Sequence, residues 1–298
     1  MFRLYCGLVR DGVWYNYAEV KPIEGGILSI MDGLDKSGAG YMLKVVEGSI
    51  DRLYSKDGEE SYDLRSEDYA DLKGRDGWKI CEEAGKLYLG KDKIVFDEYF
   101  FCHVCSTSRN EKYTHVQESW QDLVRKGLID EVYLEDPSQF QWSTILPIPI
   151  EVKTIDNQVK GGTFTEIKRE LLSIGQMIRL SKDNWASQTE ANMLCATWDA
   201  EIVEVVGLDQ RELNILKRNN QENFSKKYLK DQANIDMMLN TDRKVGYQAE
   251  FRKVSCKHCR NEIGGYLDFT NFFSFLSPKK SNQSGTKVGR TKSSSTRQ

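Results

Sequence analysis

No run of this 298-residue chain approaches the roughly 18 apolar residues that a membrane-crossing helix needs. Its opening stretch, MFRLYCGLVRDGVWY, has neither an uninterrupted apolar centre nor a small-residue cleavage pattern, so no secretory signal is read there. The expectation is a soluble protein in a reducing cytosol. Histidine is scarce at three, and two of these, His103 and His258, lie inside cysteine pairs, which leaves His115 as the isolated candidate base. That residue reads as a surface or capping group at a helix start. The motifs GxxxxGK[ST], HExxH and GxSxG are missing, and with them the phosphate-loop, zincin and serine-hydrolase signatures. The Gly-Gly pairs at 25-26, 161-162 and 264-265 have no phosphate-loop context and read as turns. The acid-rich runs DGEESYD and YLEDPSQ read as solvated loops. No catalytic residue is assigned, and the chain is expected not to be an enzyme.

What is present is an ordinary globular composition with a lopsided charge. Apolar residues make up 39% and charged ones 29%, and the length suits one large domain or two ordinary ones with a sizeable core. The net charge of −3 conceals a basic tail: Pro278 to Gln298 carries six Lys or Arg and no acid, so the remainder holds 36 bases against 45 acids. Rich in Ser, Thr, Lys and Gly, residues 278–298 are expected to be disordered. The tail reads as a solubilising end or as a tether for nucleic acid or an acidic protein face. The acidic body is a poor general surface for DNA.

Along the chain the patterns are mixed, and the expected fold class is α+β. VWYNYAEVKPI reads as a strand turning at Pro22, and Met42, Leu43, Val46, Ile50 and Leu53 as one helical face. A helical segment follows Ser66, with Gly74 and Gly77 counting against continuity. KIVFDEYFFC reads as a strand, and HVQESWQDLVRKG as a helix through Val116, Trp120, Leu123 and Val124. The chain turns at Asp136-Pro137. In STILPIPIEV, Pro147 and Pro149 cannot donate to a ladder, which demands an edge strand or an extended arm. A helix is predicted through Ile167, Leu171, Ile174 and Ile178. The longest helix is predicted over NWASQTEANMLCATWDAEIVEVVG, with Trp185, Trp198 and a buried Cys195, and a shorter one is capped by Asp209. The expected divisions are an α+β half over 1–136, a helical half over 137–277 and the tail over 278–298.

Seven cysteines are an odd number for complete pairing, and four of them fall in two CxxC units. FFCHVCSTS holds Cys102 and Cys105; VSCKHCRNE holds Cys256 and Cys259. Four thiolates close a tetrahedral zinc shell with no open position, which makes a structural site that ties distant strands together. The two units would thus join the halves in the manner of a zinc ribbon, with His103 and His258 exposed or behind the ligands. A redox-active pair and reduced core cysteines remain as alternatives. Cys6, Cys81 and Cys195 lack comparable spacing.

VSCKHCRNEIGGYLDFTNFFSFL resembles the end of baseplate-hub and tail-assembly proteins of contractile-tailed, T4-like bacteriophages. AEVKPIEGG, LPIPIEV and GQMIRLSKDNWASQTEANMLCATWDAEIVEVVGLD resemble their opening, central strand and helical core. STSRNEKYTHVQ and NQENFSKKYLKDQANIDMMLNTDRKVGYQ depart from that pattern. The resemblance implies a chaperone or minor structural component that binds hub or tail proteins. It implies no reaction and no small-molecule substrate, and it places the protein in the infected bacterium's cytoplasm or the virion baseplate. Of Phe269, Phe272, Phe273 and Phe275, three are expected to pack inside and one to anchor a partner. The competing expectations are a zinc-ribbon nucleic-acid-binding protein, with Lys257 and Arg260 beside the knuckle, and a thiol oxidoreductase.

Overall fold

Strands β1 (Phe2–Arg10) and β2 (Val13–Ala18) form a hairpin whose register closes at Arg10↔Val13, leaving a two-residue turn. Asp11 and Gly12 fill it at φ of 51° and 79°, the left-handed geometry that matches the natural strand twist. These strands come from a computed structural model that describes residues 1–23, 39–89, 93–99, 105, 112–118, 133–155, 158–181, 190–218, 224–242, 245 and 252–265. Strands β3 (Arg52–Ser55) and β4 (Ser61–Asp63) extend the hairpin to an antiparallel sheet in the order β1-β2-β3-β4.

Helices α1 (Ala39–Ser49), α2 (Ser66–Asp71) and α3 (Gly74–Leu89) accompany this sheet. Met42, Val45 and Val46 of α1 and Ile80 of α3 are buried with Leu4 of β1 in a common core. Gly77 permits the close approach of α1 to α3: a Cβ there would lie 2.3 Å from Met42 Sδ and 2.9 Å from Ile174 Cδ1. The break between α2 and α3 has a backbone cause. Gly74 N–H donates to Leu172 O at 2.9 Å and Ile174 N–H to Leu72 O at 2.8 Å, so this segment pairs sideways instead of continuing a helix. Helix α4 (Ile174–Ser181) then lies on α1 and α2, which brings a piece of the later sequence into the first core.

Asp76, in the first turn of α3, organises the irregular middle of β1. The β1–β2 register shifts between Arg3 and Leu8, and Gly7 sits there at φ +65°. The amides of Tyr5, Cys6 and Gly7 donate to the fully buried carboxylate, at 2.6 Å from Tyr5 and 2.8 Å from Gly7. Buried backbone donors need such partners, and here one side chain satisfies three.

The second core gathers on a three-stranded antiparallel sheet, β7-β8-β9, formed by β7 (Gln141–Val152), β8 (Gly162–Glu170) and β9 (Ile202–Val205). A 3₁₀ turn, Pro137–Phe140, leads into β7, with Asp136 Oδ1 accepting from Ser138 N–H at 2.8 Å. As Pro147 and Pro149 require, β7 is an edge strand, and its register shifts between Ile145 and Ile150. Helices α5 (Glu190–Glu201), α6 (Gln210–Arg218), α7 (Phe224–Tyr228) and α8 (Gln232–Asp242) complete this part. Trp198, Leu213, Phe224 and Met238 are buried together there. Asp209 caps α6 as expected, with Arg211 N–H at 2.6 Å from its Oδ1.

The architecture is α+β, but several expected elements differ. Gly162–Glu170 is a strand, not a helix: it pairs with β7 on one side and β9 on the other, and an apolar count misses its period because the inward position 169 carries a charge. Fully buried Arg169 bonds Glu201, pairs with Asp242 Oδ1 at 2.5 Å and stacks on Trp142 at 5.0 Å. Helix α5 ends at Glu201, where the β-branched run Ile202–Val205 joins the sheet, so the sixteen-residue α3 is longer. Cys195 is half-buried, and Leu53 lies in β3 rather than on α1. The later half therefore mixes sheet with helix. Residues 278–298, the four phenylalanines after the second cysteine pair, Trp120, Leu123, Val124, Trp185 and Gly25-Gly26 lie outside the described residues.

Two consequences can be measured. A Cβ on Gly7 would fall 2.3 Å from Tyr15 O in a left-handed conformation, so Gly7→Ala should cost about 3 kcal/mol in urea denaturation. Burial pushes the Asp76 carboxyl up to about 6, against the pull of its backbone donors. A folded-state value above the unfolded one means that the proton stabilises the fold fully below about pH 4. That contribution, about 3 kcal/mol, is lost as pH rises through 6. Denaturation from pH 4 to 7 should show this slope. Asp76→Asn should flatten it and also lower stability, because the amide NH₂ would face a backbone donor.

Candidate metal centre

Two hairpins far apart in sequence carry the cysteine pairs. Strands β5 (Lys93–Tyr99) and β6 (Lys112–Glu118) pair without interruption from Lys93↔Glu118 to Tyr99↔Lys112, and the connection between them contains Cys102 and Cys105. Strands β10 (Arg252–Ser255) and β11 (Glu262–Gly265) pair up to Ser255↔Glu262 and enclose Cys256 and Cys259. Strand β10 lies against β6. His115, expected at a helix start, is instead mid-strand opposite Phe96, and Lys112–Glu118 is extended because the preceding strand pairs with it throughout.

The second cysteine pair forms a tight knuckle. Cys256 N–H donates to Asn261 O and Arg260 N–H to Cys256 O, both at 2.9 Å. To close this loop Arg260 adopts φ +60°, a left-handed conformation that an L-residue enters at a cost of about 1–2 kcal/mol. The turn aims backbone N–H groups of Cys259 and His258 at the Cys256 sulfur, while Asn261 Nδ2 donates to Cys259 Sγ at 3.4 Å. The Cys259 amide first, then that of His258 and the nearby Cys105, draw the Cys256 thiol down to about 6 although burial opposes them.

Cys105 Sγ stands 3.6 Å from Cys256 Sγ, and the sulfurs of Cys105, Cys256 and Cys259 all lie within 4.8 Å of one another. Tetrahedral zinc with sulfur at about 2.3 Å has ligand–ligand edges of about 3.8 Å, so the cluster has the dimensions of a thiolate shell. Three cysteines are thus close enough to hold a metal ion. The fourth expected ligand, Cys102, and the neighbouring His103 lie outside the described residues. His258 is exposed, and its backbone N–H faces the Cys256 sulfur.

The remaining cysteines stand in different surroundings. Cys6 and Cys81 are buried, and burial pushes both thiols strongly up, so they are neutral and inert; Cys195, half-buried, is also raised. Among the described residues this is the only group of three or more His, Cys, Asp or Glu side chains with metal-holding spacing. Sequence spacing named the cysteines but not Asn261, and Arg260 entered only as a cation beside the knuckle, not as the residue that closes its turn. For Asn261 the available signal was its place two positions after the last cysteine.

Fold and site together define an α+β protein with a cysteine cluster able to hold a metal ion. No protein-family model, curated protein or solved structure matches the chain. No helix among the described residues is long and apolar enough to cross a membrane.

The support given by Asn261 predicts that Asn261→Ala weakens metal binding by about tenfold, read by competition with a chromogenic chelator. Cys105→Ser and Cys256→Ser should each accelerate proteolysis of both hairpins, and chelation of the wild-type protein should reproduce the pattern. Unchanged cleavage in both variants would separate the hairpins energetically.

Proposed function

We propose that this is a tail-baseplate hub assembly protein of a contractile-tailed phage, acting by protein–protein binding around a structural zinc site. In this reading Cys102 joins Cys105, Cys256 and Cys259 to complete four thiolates. The observation that carries it is the meeting of sulfurs from hairpins 151 residues apart. A thiolate-only shell suits zinc, leaves no position for substrate or water, and contributes to folding rather than to a reaction. The ion's chemistry there is charge neutralisation; the chain's own residues supply the hairpin geometry and the N–H groups that support the sulfurs.

The rest of the molecule agrees with a binding role. Fully buried Arg169 is paired with Glu201 and Asp242, a cluster that joins elements of the fold. The resemblance of LPIPIEV and the second knuckle to hub-assembly proteins supplies the phage assignment. The nucleic-acid alternative draws on exposed Lys257 and Arg260 at the knuckle.

Protein purified under reducing, chelator-free conditions should contain about one zinc per chain by elemental analysis. Affinity capture from infected cells should recover tail-hub proteins. Absence of zinc would remove the four-thiolate site, and recovery of nucleic acid without hub proteins would transfer the assignment to the nucleic-acid alternative.

A further inference from the structure

The bulged edge of β7 borders a cleft of about 630 Å³ shared with α7 and the turn that follows it. Ile148, Pro149 and Ile155 supply apolar wall, and Tyr228 faces them from α7. Ile148 is 41% exposed, and Ile145, further along the same edge, is 59% exposed. Beside the cleft, the outward side chain of Ile148 joins Pro149 and Ile155 in one apolar wall that a partner could cover.

The way Ile148 is held determines the mode of contact. Asn234 of α8, itself fully buried, accepts from Ile148 N–H at 3.0 Å and donates to Ile148 O at 2.9 Å. One side-chain amide therefore occupies both backbone groups that an incoming strand would use. The neighbours Pro147 and Pro149 have no N–H to offer. Strand addition is blocked along this stretch, and recognition must run through side chains entering the cleft.

Charge defines what enters. Lys153, Lys227 and Lys230 line the cleft against Glu151 and Asp231, so cations prevail locally on a chain whose net charge is −3. Lys227 lies over the Tyr228 ring at 5.1 Å, whereas Lys153 and Lys230 are exposed and form no ion pair among the described residues. Tyr228 is fixed from behind by Phe224, with ring centres 4.9 Å apart and Phe224 fully buried. The result is a rigid apolar wall flanked by uncommitted ammonium groups.

We propose that this cleft docks a partner-protein segment in which a large apolar side chain is flanked by carboxylates. The proposal rests on the reading of the protein as a protein-binding assembly factor, and it names the surface used. The apolar group would cover Ile148 and Ile155 while the carboxylates meet Lys153 and Lys230, giving both burial and orientation.

Fluorescence anisotropy tests it on the full chain. The probe is a labelled short peptide with a central Leu-Phe pair flanked by Asp and Glu; its control replaces every carboxylate by Asn or Gln. The acidic peptide should bind at least about tenfold more tightly than the control. Lys153→Glu combined with Lys230→Glu should erase that preference, and Ile148→Ser should weaken both peptides, with melting temperatures unchanged because all three positions are exposed. Equal affinity for both peptides, a preference unaffected by the lysine variant, or displacement by a single-stranded oligonucleotide would overturn the proposal. Capture of hub proteins by wild type and lysine variant alike would overturn the cleft while leaving the assembly role standing. A retained peptide preference with no hub protein captured would overturn the role and leave the cleft.

Discussion

Three sulfur atoms within 4.8 Å of one another, one of them with its thiol pKa drawn down by neighbouring amides, are a constraint before they are a site. Thiolates at that spacing repel, and the repulsion must be met by protons, by donors or by a cation. The chain supplies part of the answer itself: amides of Cys259 and His258 face Cys256, and Asn261 faces Cys259. A metal ion would supply the rest. Because Cys105 comes from one hairpin and the other two from another, whatever neutralises the sulfurs also fastens β5–β6 to β10–β11, adding to the contact of β10 with β6.

Around the apolar cores, buried polar side chains serve backbone or partner groups. Asp76 collects the three amides freed by the β1 bulge, Asn234 substitutes for a strand partner at Ile148, and Arg169 ties β8 to α5 and α8 through Glu201 and Asp242. Each is costly to bury alone, and these partners offset that cost. This pattern suits a molecule that presents rigid surfaces, and the cleft beside β7 is one such surface: the same Asn234 that stiffens the bulge also closes the edge to strand addition.

Misread segments share a cause. Ile167, Leu171, Ile174 and Ile178 have helical spacing, yet the first two and the last two lie in different surroundings, because a buried Arg at 169 restores the two-residue period of a strand that an apolar count misses. The helix expected from Asn184 to near Gly207 stops at Glu201, because the β-branched residues that follow are taken up by β8 as a third strand. Helix α4 belongs to the first core through Ile174, a contact that depends on two residues without side-chain bulk at Gly74 and Gly77.

Local chemistry was sufficient for what depends on neighbours in sequence: the cap of Asp209, the exclusion of Pro147 and Pro149 from a central strand, and the pairing of Cys256 with Cys259. These follow from hydrogen-bond supply and ligand reach over a few residues. Only tertiary structure decided which strands adjoin, that Arg169 points inward, that Asn234 finds Ile148 and that Cys105 meets the distant knuckle. Those contacts join residues tens to more than a hundred positions apart, and their energies come from mutual satisfaction of groups that no single segment contains.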